Sequence, residues 1–214
     1  MLEIFYNPFG CNTDLFVLLN NYLNIGVLPN ILQLISSVFF ISNFAMGYCV
    51  ACAYFYYKAK KSDNPALYFE QIYYEMIRIG ICYALFGLVF AALKFSINLP
   101  RPFCSLPPHL FTTIADTSLE RCLSSFPSAH TGLSLLVAYC FWPYINKPLK
   151  ILTYFTVLAV ALSRIALAMH YPSDIIYSAI ITIFIIAAAN YINKKCLTII
   201  ITPVQKIISG LFFT

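Results

Sequence analysis

Four apolar runs limit what this chain can fold into. Gln71–Phe95, Ser128–Ile145, Leu149–Met169 and Ile175–Asn193 each approach the roughly 20 apolar residues that a helix needs to cross a bilayer core. A fifth run lies within Ile31–Tyr57 and has length to spare for a bend or an extension past the membrane. In hydrocarbon every backbone N–H and C=O needs an internal partner, so such runs form helices. Charged residues are only 10% of the chain, which excludes an ordinary soluble domain. The expected fold is all-α: a polytopic membrane helix bundle of five transmembrane helices, or six if the N-terminal segment also crosses.

The two ends read differently. Asn12–Ile25 is apolar but interrupted by Asp14, Asn20, Asn21 and Asn24, which predicts an interfacial N-terminal helix within residues 1–27. Residues 196–214 form an amphipathic tail broken by Pro203, also expected at the interface. No internal repeat or low-complexity segment divides the chain, so residues 1–214 are read as one integral-membrane domain. The opening MLEIFYNPFGCN lacks the basic start and apolar core of a cleaved leader.

The net charge is +5, and its distribution explains it. Lys58, Lys60 and Lys61 follow the first span, Lys147 and Lys150 lie between the third and fourth, and Lys194 and Lys195 follow the fifth. An alternating path puts all of them on one side, the expected cytoplasmic side. No nucleic-acid partner is needed. Cys49, Cys52, Cys82, Cys140 and Cys196 lie in or beside apolar runs and read as packing residues, with no His/Cys cluster suggesting zinc.

On the opposite side three polar clusters meet. The second span ends in KFSINLPRP, Lys94 to Pro102; the third begins with PSAHTG, Pro127 to Gly132; SRIALAMHYPSD, Ser163 to Asp174, joins the fourth to the fifth. Ionisable groups at membrane depth are costly and by default mark a functional site. Lys94, Arg101 and Arg164 are three cations without matching local carboxylates, a set that suits a phosphate. His130 and His170 can move protons or attack phosphorus. Asp174 follows His170 by four residues and can hold one ring nitrogen. Pro172 is expected to open a helix with Asp174 in its first turn, and Pro127-Ser128 to start another whose free N–H groups make an anion site beside the Ser128 hydroxyl.

Lys94…Arg101-Pro102, Pro127-Ser128-Ala129-His130 and Ser163-Arg164…His170…Asp174 resemble the three signatures of the type 2 phosphatidic acid phosphatases. That family shares its site with the vanadium haloperoxidases and bacterial acid phosphatases. The resemblance runs from the second span to the fifth. It implies that His170 attacks phosphorus and becomes a phosphohistidine, that Asp174 orients His170, and that His130 protonates the leaving oxygen. It also implies that Lys94, Arg101, Ser128 and Arg164 hold the phosphoryl oxygens, with no metal and no cofactor. The substrate it implies is a lipid phosphate met among membrane lipids at the outer, periplasmic or exterior face of a plasma or bacterial inner membrane. Undecaprenyl diphosphate, phosphatidylglycerophosphate, phosphatidic acid and a lipid A phosphate all remain open, as does oligomeric state. The family usually has Gly where this chain has Ala129, which matters only if that residue needs positive φ. The alternatives are a phosphotransferase between lipids and a non-catalytic lipid-binding or transport protein.

Other polar residues have plainer readings. His109, Asp116, Glu120 and Arg121 fall in the outer loop and read as a solvated face, with Arg121 as a lesser candidate for a head-group contact. Cys104 and Cys122 flank that loop; a disulfide and two free thiols both fit. Glu75 and Arg78, three apart, read as a structural ion pair.

Overall fold

The structure is a computed structural model that describes residues 6–118 and 120–212. Residues 1–5 of the expected N-terminal segment and 213–214 of the tail lie outside the described residues. The chain is all-α, and no strand occurs among the described residues. Its helices are α1 (Cys11–Leu23), α2 (Leu28–Ser37), α3 (Ile41–Lys60), α4 (Pro65–Ser96), the short α5 (Pro102–Ser105), α6 (Ala129–Phe141), α7 (Lys147–Ala166), α8 (Pro172–Cys196) and α9 (Thr202–Phe212).

Three helices, α4, α7 and α8, are long and apolar enough to cross a membrane. Protein buries only 17%, 33% and 22% of their apolar windows, so most of that surface is left for lipid. α1 and α2 together make a fourth candidate if the pair, bent by 106°, is one span. The run expected within Ile31–Tyr57 is broken at residues 38–40 into α2 and α3. α6 has 13 residues, about 20 Å of helix, and continues only as a 3-10 turn, Trp142–Tyr144. It is shorter than the span expected over Ser128–Ile145.

Local chemistry explains the helix starts near the site. Pro172 opens α8, and the Asp174 carboxylate reaches back to accept the Tyr171 N–H at 2.8 Å. This is the carboxylate half of a capping box. Asn146 caps α7 by accepting from the Leu149 N–H at 3.1 Å. Ala129 is the first residue of α6 and has no positive φ, so its methyl group costs nothing where the family usually has Gly.

Contacts group the described residues into two units. The first contains residues 6–41 and 88–182 and holds every candidate site residue. Its hub is α7, on which α1, α2 and α6 all pack. Phe16, Ile165, Ala168 and Tyr171 form a core cluster, closed by Phe103, Phe111 and Ile175. The asparagines of α1 serve this packing. Asn20 is fully buried, and its Nδ2 lies 2.9–3.2 Å from the carbonyls of Ile165, Ala166 and Thr112. Two of these are end carbonyls of α7 that the helix itself leaves unpaired.

The second unit contains residues 42–87 and 183–212. Gly80 on α4 lets the Tyr48 ring of α3 close in; the Tyr48 hydroxyl donates to the Met76 carbonyl at 2.7 Å. Glu75 and Arg78 pair at 2.8 Å, the structural ion pair expected.

Candidate active site

The three clusters come together in the first unit. Lys94 is in the last turn of α4, and its ammonium donates to the Ser124 carbonyl at 3.0 Å. Arg101 precedes α5 and is buried. Its Nε and Nη2 point to the Ser124 hydroxyl at 3.3 and 3.1 Å, and its Nη1 lies 2.8 Å from Glu120 Oε2. Burial lowers the Arg101 pKa, opposed by the Glu120 charge. The expectation of three cations without a local carboxylate is therefore corrected: Glu120 is not merely part of a solvated face. Arg164, in the last turn of α7, is 6% exposed; its Nη1 reaches the Ser36 hydroxyl at 3.3 Å.

His170 sits in the turn between α7 and α8, where its N–H and that of Met169 both donate to the Arg164 carbonyl. Ala168 makes this turn possible with φ of 53°, a conformation that L residues rarely adopt. The His170 ring is 2% exposed. Burial first, then the charges of Lys94, Arg164 and Arg101, hold its pKa well below the ordinary imidazole value. The ring is neutral at neutral pH.

Asp174 is fully buried in the first turn of α8. Its Oδ2 accepts from the Ser125 hydroxyl at 2.6 Å and the Tyr171 N–H at 2.8 Å, and its Oδ1 accepts from the Tyr6 hydroxyl at 2.7 Å. His170 Nδ1 is 3.6 Å from Oδ2, beyond hydrogen-bond range but facing it. Ser128, also fully buried, departs from the open anion site expected of it. Its N–H donates to Ser178 Oγ at 2.6 Å, and its hydroxyl shares a hydrogen bond with Thr131 Oγ1 at 3.0 Å. The hydroxyl is thus turned to its own helix rather than presented alone. His130, on the first turn of α6, packs its ring against Phe40 with centroids 4.9 Å apart.

Two buried nitrogens here have no hydrogen-bond partner, His130 Nε2 and Arg164 Nε, and a third, His170 Nδ1, has the Asp174 carboxylate 3.6 Å away. A buried unpaired donor costs about 1–3 kcal/mol, and the first two, beside a cationic centre, call for a ligand rich in acceptor oxygens. The sequence reading missed Glu120, Ser124, Ser125, Tyr6 and Ser36, none of which lies in a motif quoted above. Ser124 and Ser125, adjacent to Pro127-Ser128, were the findable ones. His109 stays exposed in a 3-10 turn, and Arg121 lies over the Phe95 ring at 5.3 Å. Cys104 and Cys122 form a disulfide that ties α5 to the segment carrying Ser124.

Fold and site together define a polytopic helical membrane protein with a buried cationic centre holding two histidines. A family model of the PAP2 superfamily matches residues 75–197, and the chain belongs to that superfamily. The crystal structure of Aquifex aeolicus LpxE is similar at a TM-score of 0.65, with 18% identity, over 86% of this chain and 98% of that one. That likeness carries the fold. No curated protein sequence matches the chain significantly.

Proposed function

We infer that the protein is a phosphatase acting on a lipid phosphate through a phosphohistidine. The observation that carries this reading is the pair of unpartnered buried nitrogens on His130 and Arg164, with the His170 ring held beside Lys94, Arg101 and Arg164. The family and the likeness to LpxE support it.

The chemistry follows from which atoms are engaged. Nδ1 of His170 faces Asp174, which leaves Nε2 to attack phosphorus. The P–N bond forms as the P–O bond to the lipid oxygen breaks, and His130 Nε2 gives that oxygen a proton. His130 then takes a proton from water, the water oxygen attacks phosphorus, and the P–N bond breaks. Inorganic phosphate leaves and His170 is restored. Lys94, Arg101 and Arg164 stabilise the charge on the phosphoryl oxygens, and Ser128 N–H and hydroxyl hold the start of α6 beside them. The cations supply what a metal ion would, and the reaction runs without one.

Residues 1–214 act as one membrane domain, with the site at the outer face and the lysine loops in the cytoplasm. The substrate remains within the class of membrane lipids bearing a phosphate monoester or diphosphate. The test is phosphate release by purified protein across a panel of such lipids, with excess chelator present. The expected result is turnover that survives chelator, is inhibited by vanadate, and falls about 10³-fold or more in His170→Ala. Turnover that vanishes in chelator and returns with Mg²⁺, or that is unchanged in His170→Ala, overturns the reading.

A further inference from the structure

The carboxylate that faces the proposed nucleophile is held in part by a residue far away in sequence. Asp174 Oδ1 accepts from the hydroxyl of Tyr6, 168 residues earlier, at 2.7 Å. Tyr6 lies outside residues 75–197, the part that matches the family model. Burial, and then the Asp174 charge, raise its phenol pKa above the ordinary value, so the hydroxyl stays protonated and donates.

The neighbouring contacts place Tyr6 firmly. Its ring meets Phe126 and Tyr171 edge-on, with centroids 6.5 and 6.2 Å away. Six residues on, Asn12 grips Ser173 from both sides: Nδ2 donates to the Ser173 hydroxyl at 2.8 Å, and Oδ1 accepts the Ser173 N–H at 3.0 Å. Ser173 is the residue next to Asp174. Tyr6, before α1, and Asn12, in its first turn, therefore lock the N-terminal region to the first turn of α8 at Asp174 and at its neighbour Ser173.

The two carboxylate oxygens do different jobs. Oδ2 already receives Ser125 and the Tyr171 N–H, and is the oxygen that His170 Nδ1 faces. Oδ1 receives Tyr6. Rotation about Cβ–Cγ carries both oxygens away from their donors, so the Tyr6 hydroxyl on Oδ1 adds to the hold that Ser125 and the Tyr171 N–H exert on Oδ2. We propose that Tyr6 is a positioning residue, whose hydroxyl fixes the rotation of the Asp174 carboxylate and so the aim of the His170 ring. This rests on the phosphatase reading above.

Tyr6→Phe removes the hydroxyl and keeps the ring contacts. Wild type and variant are compared for kcat and KM on one lipid phosphate and for inhibition by inorganic phosphate. Positioning predicts that kcat falls about tenfold, the size of one hydrogen bond to a charged group. KM and phosphate inhibition stay within about twofold, because Tyr6 touches none of the phosphate-facing cations. An unchanged kcat overturns the proposal. So does a rise in KM matching the fall in kcat, or a variant that phosphate no longer inhibits, since each means that Tyr6 serves binding or folding instead. If wild type itself releases no phosphate from any lipid, the phosphatase reading fails first, and the two failures are told apart.

Discussion

The carboxylate of Glu120 lies 2.8 Å from the guanidinium of Arg101. The two side chains are unequal: Arg101 is 8% exposed and Glu120 37%. The arginine is fixed by Ser124 and the carboxylate is the partner able to leave. A phosphoryl oxygen arriving at Arg101 Nη1 competes with Glu120 for it.

Glu120→Gln removes that competitor. A half-exposed ion pair is worth about 1 kcal/mol or less, roughly a fivefold effect at most. Inorganic phosphate is therefore expected to inhibit the variant a few-fold more tightly, with kcat held. Product-inhibition kinetics check it. Weaker inhibition in the variant means that Glu120 serves to hold Arg101 in place.

Ala168 offers a test of the turn that carries His170. Its φ of 53° costs an L residue about 1–2 kcal/mol, a penalty glycine does not incur. Ala168→Gly is expected to stabilise the protein by up to about 1 kcal/mol, less the extra chain entropy of glycine. Ala168→Val is expected to destabilise it by more, since the residue is fully buried and a branched side chain has no room. Thermal unfolding in detergent reads both. A less stable glycine variant removes the strain argument.

Much of the site was legible because it is written at short range. The spacing of Ser163-Arg164, His170 and Asp174 lies within one helix end, a turn and the next helix start, so chain geometry alone brings them near each other. The capping role of Asp174 follows from Pro172 two residues before it. Contacts across long separations were not legible. Nothing near Tyr6 or Asn12 indicates that their partners are Asp174 and Ser173. The asparagines of α1 read as marks of an interfacial helix, because polar residues in an apolar run fit an interface and the end carbonyls of another helix equally well. Glu120 sits in a loop with no periodicity, where a carboxylate is ordinarily solvated. The break at residues 38–40 has no proline or glycine to announce it, and α6 is shorter than its apolar run because Pro143 stops the helix there.

Orientation is tested by thiol labelling in intact cells. Ser118, in the loop that follows Arg101, is exposed, and so is Asp63, beside the lysine loop after α3. Cys104 and Cys122 are paired and contribute no background, while Cys11 and Cys49 are exposed and are first changed to Ser. Ser118→Cys is expected to react with an impermeant reagent and Asp63→Cys to react only after permeabilisation. The reverse pattern places the site on the cytoplasmic side and changes the lipid pool it meets.

The last prediction concerns pH. His170 has its pKa depressed by burial and by three nearby cations, while in the unfolded chain an imidazole titrates near 6.5. Above that pH the ring is neutral in both states, and its contribution is constant. As pH falls through about 6.5, the unfolded chain takes up a proton that the folded protein refuses, so stability is lost as pH falls. The slope from this one residue has a ceiling of about 1.4 kcal/mol per pH unit. His170→Gln carries no such proton. The unfolding midpoint of ligand-free wild type is expected to drop more steeply between pH 7.5 and 5.5 than that of His170→Gln. Equal slopes mean that the folded ring accepts the proton as readily as the unfolded chain does, and that burial among the cations does not depress its titration.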